Sequence, residues 1–103
     1  MFSSNIEATL GRASYEVHIV DDLSGLEAAL TPDVDAVILD LHAGLETTDV
    51  VGLCTPLGVP VLAFGRHTEP ALLRAAREAG CAQVVPRSTF VEEMAALVKG
   101  LKD

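Results

Sequence analysis

Tryptophan is absent from this chain of 103 residues, which holds one tyrosine and three phenylalanines. Its core must therefore be assembled from Val, Leu, Ile and Ala, and with half of the residues hydrophobic there is enough of them for a compact domain. Positive charge is also scarce: seven Lys and Arg stand against fifteen Asp and Glu, a net charge of −8. Counterion release from a phosphate backbone requires a basic face, so direct nucleic-acid binding is not expected. No apolar run reaches the roughly 18–20 residues of a membrane span. The opening MFSSNIEATL has neither a basic nor an apolar leader segment, so a cytoplasmic location is expected. Cys54 and Cys81 have no CxxC spacing and read as small reduced hydrophobes, with a redox pair as the alternative. No GxGxxG or GxxxxGK[ST] sequence occurs, which argues against nucleotide binding.

What is present alternates between helical and strand-like patterns over residues 1–103, read as one domain without linker or repeat. Ser4 and Glu7 have capping-box spacing, followed by Ile6, Leu10 and Ala13 on one helical face. YEVHIV, residues 15–20, alternates polar and apolar and is expected to be a strand near a sheet edge. Asp21 and Asp22 lead into a short helix with Leu23, Leu26 and Leu30. VDAVIL (34–39) and VPVLAF (59–64) are apolar on both faces, the pattern of strands buried inside a parallel sheet. Between them, Thr47 to Leu53 is expected to be a helix despite Gly52. Thr68 is placed as the cap of a helix with Pro70 in its first turn and Gly80 past its end. AQVVP (82–86) is a short strand, and Thr89 with Glu92 opens a last helix with Val91, Met94, Leu97, Val98 and Leu101 inward. Strands separated by helices imply a parallel sheet with right-handed crossovers, a three-layer α/β class.

In such sheets chemistry collects at the carboxyl ends of the strands. Those ends carry Asp21 and Asp22, Asp40, Gly65 with Arg66, and Arg87. Across PDVDAVILDL, VPVLAFG, ALLRAAREAGCAQVVPRS and the helix that follows, the chain resembles the receiver domain of bacterial two-component response regulators. The resemblance runs from Ser3 to about Leu101. It implies a flavodoxin-like, receiver-like αβα fold with about four strands and five helices, the first and central strand being absent. It also implies phosphorelay signalling through protein contacts.

Residue by residue, the resemblance aligns Asp40 with the phospho-acceptor. Gly65 falls where the family carries Ser or Thr, Arg87 replaces a lysine, and Val84 stands in the place of an aromatic switch residue. The acidic pair that would hold Mg²⁺ belongs to the absent strand. Phosphoryl transfer rests on positioning and charge neutralisation, and two unit negative charges about 4 Å apart repel by about 4 kcal/mol at an effective dielectric of 20. Asp40 is accordingly expected to remain unphosphorylated, ending its strand and pairing with Arg87. The reading is a stand-alone module without enzymatic activity or cofactor. Mg²⁺ would enter only if Asp21 and Asp22, otherwise helix caps, substituted for the missing acids beside Asp40. His42 and His67 are expected to be solvated loop side chains.

One alternative is a true Mg²⁺-dependent phospho-acceptor whose first strand comes from elsewhere or from another chain. A second is a small metal-dependent phosphohydrolase. Loss of a central strand costs on the order of 10 kcal/mol, comparable with the stability of a whole domain. Two repairs are expected: residues 15–20 slide beside 34–39, or a second copy covers the gap, giving a homodimer alongside an unidentified protein partner.

Overall fold

The computed structural model describes residues 2–20 and 22–102, with side chains described for 6–20 and 22–101. Its elements are α1 (Phe2–Arg12), α2 (Leu23–Ala29), β1 (Val37–Asp40), α3 (Thr47–Cys54) with a 3-10 turn at Thr55–Leu57, β2 (Val61–Gly65), α4 (Pro70–Glu78), β3 (Gln83–Pro86) and α5 (Arg87–Lys102). The three strands form one parallel sheet in the order β1-β2-β3.

The strands begin later than their apolar runs because each needs a bonding neighbour. Val37 is the first residue of β1 to find one, its N–H donating to the Pro60 carbonyl at 2.9 Å. At the far end the Leu41 N–H reaches the Phe64 carbonyl at 3.0 Å. On the other side of β2, the Ala82 N–H donates to the Val61 carbonyl at 2.9 Å. β2 is thus bonded along both edges and buried at all five residues.

Helices cover both faces. Leu39, Val61 and Ala63 point into a cluster with Leu26, Val50 and Leu73 from α2, α3 and α4. Leu62, Phe64 and Val85 point the other way, into Leu10 of α1 and Phe90, Met94 and Val98 of α5. The Phe64 and Phe90 rings stack with centroids 4.4 Å apart and planes at 4°. This face therefore holds a stacked aromatic pair, which adds to area burial.

Pro70 at the first turn of α4 and Gly80 at φ +109° beyond its end bear out the expected boundaries. The cap is Glu69 and not Thr68. At the chain's two ends the expected caps lie inside their helices: α1 begins at Phe2, before Ser4, and α5 begins at Arg87, before Thr89. β3 runs directly into α5, so the strand sets the helix start. The phase of α5 follows: Phe90, Met94 and Val98 are buried at a spacing of four, and Val91 is left 41% exposed. Glu93 interrupts the helix with φ −120° and ψ 19°.

Two expectations about the sheet are corrected. Residues 15–20 form no strand, so the sheet has three strands and not four among the described residues. A strand is stabilised by a neighbour at about 4.8 Å, and a groove of about 820 Å³ separates this segment from β1. Sliding against 34–39 therefore does not occur. β1, read as buried on both faces, is in fact an edge strand in which only Leu39 is fully buried.

Candidate functional site

The carboxyl ends of the three strands lie side by side. β1 ends at Asp40, β2 at Gly65 with Asp40 paired to Phe64, and β3 at Pro86 with Pro86 paired to Gly65. Arg87 follows at the exposed start of α5. At about 4.8 Å per strand its backbone is about 10 Å from that of β1.

Asp40 shapes the turn that follows it. One carboxylate oxygen accepts the His42 amide at 2.9 Å, and the Asp40 carbonyl accepts the Ala43 amide at 3.0 Å. Polar side chains that bond their own backbone two residues on stabilise such turns. The turn brings His42 over β2. Its Nε2 lies 3.2 Å from the Arg66 amide and 3.4 Å from a Glu69 carboxylate oxygen, and its side chain is 26% exposed. These two contacts exclude each other at one nitrogen. Unprotonated, Nε2 accepts the Arg66 N–H; protonated, it donates to Glu69.

Gly65 sits beneath this cluster. A Cβ added there would come 3.2 Å from Leu41 Cδ1, 3.3 Å from Leu73 Cδ2 and 3.5 Å from His42 Nε2. A side chain at 65 would require the tips of these two leucines to give by a few tenths of an ångström. Val84, one strand further, is buried.

The other expected acids are deployed differently. Asp22 caps α2, its carboxylate accepting the Gly25 amide at 2.7 Å, and Asp21 lies outside the described residues. Among the described residues no three His, Cys, Asp or Glu side chains form a group suited to a metal ion. His42 and His67 are both exposed loop residues, as expected, and His42 in addition contacts the strand ends. The His42, Arg66 and Glu69 grouping was not legible in advance. It joins two loops separated by 24 residues, and neither loop carries a spacing signal.

The fold also places Cys54 and Cys81 in one apolar cluster. Burial pushes both thiols above their ordinary value, and at Cys54 the neighbouring Cys81 adds to the effect. Both are unbonded thiols. No helix among the described residues is long and apolar enough to cross a membrane.

Compared with protein families, with curated proteins and with solved structures, the chain matches none.

Proposed function

We infer that this chain is a receiver-like signalling module, flavodoxin-like in layout, that works by contact with another protein and does not accept phosphate at Asp40. The observation that carries this reading is the packing around the β2 end. Asp40 stands at the end of β1, the position the resemblance assigns to the acceptor, and its carboxylate is engaged by the His42 amide. Beside it the Gly65 position offers no hydroxyl, and Leu41, Leu73 and His42 close in above it. A transferring phosphoryl group needs placed donors and a cation around it; the reading is supported by an Asp40 carboxylate engaged in a local turn and by leucine tips close to the Gly65 position. The three-stranded order β1-β2-β3 with helices on both faces fits the part of a receiver sheet on one side of its central strand.

The test is incubation with Mg²⁺ and a small phosphodonor, read by intact mass and by acid- and base-stability of any adduct. No increment is the expected result. A phosphoryl increment abolished by Asp40→Asn overturns the reading in favour of a working acceptor.

A further inference from the structure

A groove of about 820 Å³ lies between β1 and residues 15–20. Its position is defined by the sheet. The N–H groups of Val37 and Leu41 donate to β2, and in a strand successive peptide groups alternate sides. The N–H groups of Ala36, Ile38 and Asp40 and the Ile38 carbonyl therefore face away from β2, into the groove. The opposite bank is the segment of residues 15–20 with Tyr15, Val17 and Ile19, of which Ile19 is 46% exposed. β1 presents four residues, an edge about 13 Å long at 3.3 Å per residue.

The groove lies in the plane of the sheet and opens into both apolar layers. Leu26, Leu30 and Val50 reach it from one side, and Ile6, Leu10 and Phe64 from the other. Among its described lining residues Glu16, Asp33, Asp35 and Asp40 are acidic, and His18, 3.1 Å from Glu16, is basic, so the lining is mainly acidic. β1 itself has the composition of an interior strand although it lies at an edge. Native edges are usually short, charged, covered or bulged; VIL is short but carries no charge, and its open side faces the groove.

We propose that this groove is a strand-docking site, which takes an extended segment of another polypeptide, apolar on both faces and flanked by Lys or Arg, as an added strand on β1. Backbone hydrogen bonds to the Ile38 edge supply the pairing, alternate side chains enter the two apolar layers, and the basic flanks meet the acidic rim. This is β-augmentation, with the difference that the added strand is covered on both sides. A second copy of this chain is a poor donor. Its doubly apolar segments, Val37–Leu39 and Val61–Phe64, are already strands of its own sheet. The proposal rests on the edge geometry alone and stands whether or not Asp40 accepts phosphate.

The experiment uses the whole chain and a fluorescent nine-residue peptide, five alternating Val and Ile between paired lysines. A second peptide is identical but N-methylated on alternate residues, so that one edge loses its N–H donors while its side chains are kept. The expected result is saturable binding of the first peptide, weakened at least tenfold by N-methylation of the edge facing β1. Exchanging the lysines for glutamates should weaken it by a similar factor at low salt. Binding should also slow amide exchange at Ile38. Equal binding of both peptides, or none up to millimolar concentration, overturns the proposal. So does self-association that protects the Ile38 amide without peptide, which would assign the groove to a second copy. Displacement of the peptide's signal by a fatty acid with no dependence on peptide N–H groups would assign it to a small apolar ligand and likewise overturn it.

Discussion

β1 and β2 are strands of similar length and equally aliphatic sequence, VILD and VLAFG, yet one is half-open and the other wholly buried. The difference is the number of neighbours. β2 is bonded on both sides, to β1 and β3, and its side chains meet α4 on one face and α5 on the other. Among the described residues β1 has a neighbouring strand on one side, and a groove lies on the other. Burial of a parallel strand is thus a property of its place in the sheet; hydrophobicity of the strand itself does not secure it. A strand composed for an interior and found at an edge marks where something is to be added.

Breaking the buried side of this comparison should have the largest effect. Phe64→Ala removes a fully buried ring stacked on Phe90, and urea unfolding should register a loss of about 3–5 kcal/mol. Ile38→Ala on β1, half-buried beside the groove, should cost about 1–2 kcal/mol in the same assay. Equal losses would mean that the two strands are equally enclosed in solution.

The next effect concerns the α2 cap. Asp22→Ala leaves the Gly25 amide without its acceptor and should cost about 1 kcal/mol, most of it restored by Asp22→Asn. A neutral result would show that α2, which borders the groove, contributes little to global stability.

The thiols give a pH-dependent test of the enclosed side. Both hold their proton more tightly when folded than at the ordinary value of 9.0. Above that value the folded state binds more protons than the unfolded state, so stability is complete below it and declines as pH rises through it. Unfolding titrations from pH 8 to 10.5 should show this decline, and Cys54→Ala with Cys81→Ala should flatten it. Native thiols should also react slowly with a disulfide reagent until denaturant is added.

The smallest effect belongs to Ile19. Its side chain is largely exposed, so Ile19→Ser should alter stability by no more than about 0.5 kcal/mol. A larger loss would place residues 15–20 in a ladder that this structure does not contain.

Much of the architecture was legible before any coordinates, and its omissions share a cause. Pro70 and Gly80 announce α4 because the conformational limits of proline and glycine act within a few residues. Asp40 at a strand end followed from an apolar run meeting an acid. Residues 15–20 have a strand's alternation, but pairing requires a partner, and no local pattern can say that the partner is missing. On α5, Met94, Leu97, Val98 and Leu101 pack inward as expected, but Val91 does not, because β3 sets the helix phase and delivers Phe90 to the core. His42 beside Glu69 and Cys54 beside Cys81 arise from loops and element ends that meet only in space. The site was therefore readable where one residue determines geometry, and unreadable where two distant segments do so together.

The most direct measurement is residue-resolved amide hydrogen exchange of the chain alone. Val37 and Leu39, whose amides face β2, should be protected, while Ile38 between them, whose amide faces the groove, should exchange within a factor of about ten of an unfolded peptide, as expected for an unbonded edge. Ile38 protected as strongly as Leu39 would mean that the edge is already paired, and would contradict the account.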